Sequence, residues 1–219
     1  IIGRDTLALK KDDLAPETRE YLEKIGNSAR HLLTIINNIL DMSRIESGHI
    51  ALKKEEFTLG SALKMLNEQT LARCREKGLS YECRISEGTD GAYIGDEAKL
   101  QEVMGNVLSN AVKFTEAPGK VLLTAEKTAD FEGQATISFC IRDTGIGMDP
   151  SYVPKIFDAF SQEDSSNKNK YGGTGLGMTI TKRIVEIMNG SVSVESVKGS
   201  GTAVTVTVTL KTSEQGAAA

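Results

Sequence analysis

Between Pro16 and Ser47 the apolar residues step by three and four: Leu22, Ile25, Ala29, Leu32, Ile36 and Ile39, with Leu33 and Leu40 widening the stripe. That spacing predicts one long helix with a heptad seam, as in a coiled coil or a four-helix bundle. Pro16 suits its first turn and Ser47-Gly48 its end. A single helix of this kind cannot bury its own stripe. It needs a partner helix, expected from a second copy of the chain. Ahead of it, Ile1–Lys10 reads as a short helical piece, followed by a polar break at Lys11–Thr18.

From Phe57 the periodicity changes. Gly60–Gly78 reads as an amphipathic helix, residues 79–86 alternate as a strand, and residues 92–96 form a shorter one. Asp96 opens a helix with Leu100, Val103, Val107, Leu108 and Ala111 on one face. Strands follow at 120–127 and 135–142, then a small helix near 153–160 and a long polar loop. A helix is expected over 175–188 and a hairpin over 191–197 and 201–210. Strands gather on one side and helices on the other, so this part is an α+β sandwich. The boundary falls near residues 48–56, giving a helical part over 1–48 and a sandwich over 56–212.

Composition excludes several functions. A net charge of −4 leaves no basic stripe for nucleic acid. Cys74, Cys83 and Cys140 are too far apart for a disulfide framework or a zinc site, and read as buried, reduced thiols. No apolar run approaches the roughly 20 residues of a membrane span. The expectation is a cytoplasmic segment without membrane contact, whose parent protein can be anchored upstream.

Three stretches carry chemistry. In "NVLSNAVKF", Asn106, Asn110 and Lys113 share one helix face. Carboxamide oxygens can ligate Mg²⁺ and a lysine can neutralise phosphate, although such a trio also suits a solvated polar face. In "IRDTGIGM", Asp143 ends a strand beside Gly145 and Gly147. It can accept a hydrogen bond from an exocyclic amine, or simply form an Asp-Gly turn. In "KYGGTGLGM", the glycines precede a helix and form either a hinge or a backbone wall against phosphate.

Taken together in this order, the stretches resemble the bacterial sensor histidine kinases of two-component signalling. "GDEAKLQEVMGNVLSNAVKFT" resembles their N box, "DTGIGM" and "GGTGLGM" their two glycine boxes, and "IFDAF" their F box. "NNILDMSRIESG" is similar to the end of the second helix of their dimerisation domain. The resemblance runs from about residue 14 to 210. It implies a two-layer α/β sandwich ATP-binding domain of the Bergerat type, preceded by a long helix of a four-helix-bundle dimerisation domain. It implies that Asn110, with Asn106, binds Mg²⁺ bridging the ATP phosphates, that Lys113 touches phosphate, and that Asp143 reads the adenine amine between Gly145 and Gly147. Gly173, Thr174, Gly175, Leu176 and Gly177 would line the triphosphate, Phe157 and Phe160 would pack an ATP lid, and Lys168 and Lys170 would be lid cations or plain solvated lysines. The partners implied are a response-regulator receiver domain and a second copy of the chain, joined through helix 16–47.

The same fold serves the gyrase, chaperone and mismatch-repair ATPases, where a Glu that activates water stands four residues before the Mg²⁺-binding Asn. Here that position is Asn106, so poor hydrolysis is expected. Sliding the register by one turn would put Glu102 in that place, but Ala111, Lys113 and Phe114 favour the register chosen. Neither His31 nor His49 has the acidic neighbour and downstream Thr-Pro of the family's acceptor motif. Both read as surface or packing residues, and the acceptor is expected upstream of Ile1. A related ATPase and a non-catalytic binding module are the alternatives.

Overall fold

The computed structural model describes residues 2–9, 14–46, 51–163 and 173–213. The chain divides into two compact units, Ile1–His49 and Ile50–Ala219.

The first unit pairs α1 (Ile2–Leu9) with α2 (Pro16–Glu46). Arg19 ties them by donating from Nη1 to the Leu9 carbonyl at 3.1 Å, one of the last carbonyls that a helix leaves unpaired. Asp5 is buried against Gly26, where any Cβ would collide with its carboxylate. The seam residues Ile25, Leu32, Leu33, Ile36, Ile39 and Leu40 stand between 45% and 57% exposed. The expected helix end at Ser47-Gly48, His49 and the side chain of His31 lie outside the described residues.

The second unit is a seven-stranded sheet with helices on one face. Its elements are β1 (Glu55–Thr58), α3 (Leu59–Glu76), β2 (Leu79–Ile85), β3 (Ala92–Gly95), α4 (Glu97–Phe114), β4 (Gly119–Phe131), β5 (Gln134–Asp143), α5 (Gly177–Ile187), β6 (Ser191–Val197) and β7 (Gly201–Thr212). The order is β1-β3-β7-β5-β4-β2, and β6 also pairs with β7. Pairing is antiparallel except between β2 and β4. Along β5, Ala135, Ile137, Phe139, Ile141 and Asp143 are buried while the residues between them are not. The buried set faces α4, whose Leu100, Met104 and Leu108 are themselves buried, while Ile180 and Ile184 of α5 are buried over β6 and β7. Each such side chain contributes about 1.5–3 kcal/mol on burial. The alternation therefore delivers Asp143 to the helix side at the strand's end.

Caps fix where the helices start. Thr58 and Ser61 form a reciprocal capping box on α3. Asp96 caps α4 by accepting from Lys99 N–H at 3.0 Å, and its other oxygen accepts from Lys53 N–H. The two ends of this unit meet: Ser213 N–H donates to the Ala92 carbonyl, and its hydroxyl donates to the Glu56 carboxylate.

Three expectations are corrected. Strand β1 lies partly within the expected linker, because "EEFT" carries one buried residue, Phe57, and no visible alternation. The expected helix near 153–160 is only a 3-10 turn, Val153–Lys155, started by Pro154. Beyond it the chain turns, and Phe160 takes φ +62, outside any right-handed helix. Of the three cysteines Cys74 is buried, while Cys83 and Cys140 are only half-buried.

Candidate nucleotide-binding site

The site grows from the C-terminal end of α4. Lys77 reaches over from the end of α3 and donates Nζ to the carbonyls of Val112 (2.8 Å) and Lys113 (2.7 Å). Thr115 donates its hydroxyl to the Ala111 carbonyl. The Phe114 carbonyl accepts the Ile146 N–H at 3.1 Å. That bond docks the 143–148 loop under α4.

Asp143 is 8% exposed. Its Oδ1 accepts the N–H groups of Gly145 (2.8 Å) and Thr202 (3.3 Å). Burial pushes its carboxyl above the usual 3.8, and the two N–H groups pull it part of the way back. At Gly145 a Cβ would run into the Phe114 carbonyl. Gly147, at φ +58, lies so close to the Val197 carbonyl that no side chain fits. Gly199 N–H donates to the Ile146 carbonyl at 2.7 Å, and Met148 N–H to Ser196 Oγ at 2.9 Å. The β6–β7 turn thus forms a second wall around Asp143.

The other half of the site lies between α4 and α5. Asn106, Asn110 and Lys113 are half-buried on successive turns of α4. Asn106 Nδ2 points to the Gly177 carbonyl at 3.5 Å, so this face meets the N-terminus of α5. The Lys113 ammonium stands 4.6 Å from the centre of the Phe114 ring, beside Gly173, and burial lowers its pKa below 10.5. Leu176, 1% exposed, precedes α5, and its N–H donates to Thr174 Oγ1 at 3.1 Å. Gly175, at φ +70, packs on the backbone of Phe160. Phe160 N–H donates to the Gly175 carbonyl at 3.1 Å, and Gln162 Nε2 to the Gly173 carbonyl at 2.9 Å. An open cleft of about 440 Å³ between α3 and α4 shares Lys113 with this group and none of its other members.

The structure thus brings together Asp143, Gly145 and Gly147 at one end, and Asn106, Lys113, Gly173, Thr174, Gly175, Leu176 and Gly177 at the other, with Asn110 on the same face of α4. Phe157 is half-buried beneath the Lys182 ammonium, 5.5 Å from its ring centre. Phe160 departs from the expected packing: the residue is 65% exposed, and its backbone makes the contact with Gly175. Lys168 and Lys170 lie outside the described residues. Sequence reasoning missed Thr202, Gly201, Ser196 and Gln162. The glycine pair in "KGSG" was the available signal: Gly199 and Gly201 both take positive φ, and a Cβ on Gly201 would strike the Asp143 carbonyl.

An acceptor at Asp143, carboxamides and an ammonium along α4, and a helix N-terminus behind glycines suit a ligand with an amine at one end and phosphates at the other. Comparison with known proteins agrees. A profile described as "Histidine kinase-, DNA gyrase B-, and HSP90-like ATPase" matches residues 95–212, and one described as "His Kinase A (phospho-acceptor) domain" matches residues 4–48. The autoinducer 2 sensor kinase/phosphatase LuxQ of Vibrio vulnificus (strain CMCP6) is 40% identical over 189 residues, 86% of this chain and 22% of its own. The signal transduction histidine-protein kinase BarA of Escherichia coli (strain K12) is 38% identical over 196 residues, 90% of this chain and 21% of its own. The chain spans about a fifth of the length of these relatives. Among solved structures, full-length ShkA in complex with AMPPNP superposes with a TM-score of 0.79 at 31% identity, over 97% of this chain and 43% of that one. The chain therefore belongs to the histidine kinase-, DNA gyrase B- and HSP90-like ATPase family, and its residues 4–48 carry the match to the His Kinase A (phospho-acceptor) domain.

Proposed function

We propose that this chain binds Mg-ATP between Asp143 and the N-terminus of α5 and transfers the γ-phosphoryl group to a histidine of a dimerisation domain, for relay to a receiver aspartate. The reading rests above all on the face of α4 that meets α5, which carries Asn106, Asn110 and Lys113, with an amide and not a carboxylate four residues before Asn110. Glu102, one turn away, is paired with Lys99 at 2.7 Å. With no base to activate water, the γ-phosphate is kept for another acceptor.

Asp143 accepts the adenine amine, and Gly145 and Gly147 let the ring lie against backbone. Lys113 and the N–H groups at the start of α5 hold the phosphates. Asn106 and Asn110 hold Mg²⁺. They fit it because Mg²⁺ takes few protein ligands when phosphates supply the rest, and no cluster of three His, Cys, Asp or Glu among the described residues competes for it. When bound, Mg²⁺ neutralises charge on the phosphates. The half-exposed seam of α2 pairs with a second copy of the chain, and it offers a surface to a receiver domain. Because the reaction draws on ATP, this segment works in the cytoplasm. Neither His31 nor His49 is the acceptor.

The test incubates the chain with γ-labelled ATP and Mg²⁺, alone and with a peptide carrying an acceptor-histidine motif. Acid-labile, base-stable label on the peptide alone is expected, and Asn110→Asp should reduce it at least tenfold. Label on the chain itself would assign the acceptor to His31 or His49. Rapid phosphate release without label would make the protein an ATPase.

A further inference from the structure

Glu163 lies beyond every motif and touches two separate parts of the site. Its Oε1 accepts the Asp149 N–H at 2.9 Å and the Lys198 ammonium. Asp149 is fixed in turn by its own carboxylate, which accepts the N–H and hydroxyl of Ser151 at 2.9 and 2.6 Å. Lys198 belongs to the β6–β7 turn whose neighbours Gly199 and Thr202 donate to Ile146 and Asp143. Glu163 itself follows Phe160 and Gln162, which bond the carbonyls of Gly175 and Gly173. The adenine-side loop and the glycine loop ahead of α5 are therefore joined through one carboxylate. Its side chain is 21% exposed, against 57% for Lys198, so it is shielded enough to hold a fixed position.

We infer that Glu163 is a positioning residue that sets the spacing between the adenine end and the phosphate end of the site. This rests on the nucleotide reading above. A ligand that reaches both ends depends on that spacing, whereas one that occupies only the adenine end is held by Asp143, Gly145 and Gly147. Glu163 therefore supports ADP binding and leaves adenosine binding nearly unchanged.

The test titrates the full chain with ADP and with adenosine by calorimetry, for the parent, Glu163→Ala, Glu163→Gln and Lys198→Met. Glu163→Ala should weaken ADP about three- to tenfold, a range between exposed and shielded charge-assisted bonds, with adenosine altered less than twofold. Glu163→Gln keeps an acceptor for Asp149 N–H and should recover part of the loss, matching Lys198→Met. High salt should erase the Lys198→Met effect, since that pair is screened. A general loss of structure would weaken both ligands alike, and this outcome overturns the inference. So does unchanged ADP affinity in Glu163→Ala. If the parent binds neither ligand, the nucleotide reading itself falls and takes the inference with it.

Discussion

At Asp143, burial and hydrogen bonding oppose each other, and burial prevails. The folded-state carboxyl titrates above its unfolded value, so between the two the native state binds more protons. Its contribution to stability is full below 3.8 and is lost as pH rises through the raised value. Adenine recognition has the opposite sign, because the anion is the better acceptor for an amine. ADP affinity should rise with pH across that window, and Asp143→Asn should flatten the rise while weakening binding by about 1–3 kcal/mol. Calorimetric titration across the window checks both. Asp143 was legible in the sequence because a strand-end carboxylate beside Gly-x-Gly limits what the chain can do there. Thr202 was not, because it reaches Asp143 through its backbone N–H, which every residue but proline carries. Phe160 misled for a related reason. Aromatic rings are expected to pack, and nothing in "IFDAF" announces a positive φ.

Elements were read best where periodicity was strong. α4 begins at its cap, Asp96, and its buried face was visible but for Met104 and Val112. β4 ran beyond its expected end, through the exposed residues 128–131, because its ladder with β5 continues past a bulge to the two-residue turn at Glu132-Gly133. What no periodicity shows is how an element is closed. Lys77 holds the last carbonyls of α4, and the next carbonyl holds the 143–148 loop, so the cap of one helix supports the docking of a loop. Lys77→Met should cost about 1.5–3 kcal/mol of stability, the worth of charged hydrogen bonds. It should also weaken ADP binding a few-fold. Urea unfolding and the ADP titration check these together, and an unchanged unfolding midpoint would remove Lys77 from the role of cap.

For the whole molecule, the seam of α2 was legible, and it stands half-exposed in one copy. Ile36→Asp should shift the chain toward monomer in sedimentation equilibrium and leave ADP affinity unchanged, because the nucleotide residues all lie in the other compact unit. The meeting of that unit's ends was invisible, since no local pattern records that Glu56 and Ser213 touch. Their contact bears on modularity. Whatever is joined ahead of β1 and whatever is joined after β7 attach close together on the sheet. The unit is a cassette with a single doorway, open to insertion, excision or circular permutation without parting a strand from its neighbours.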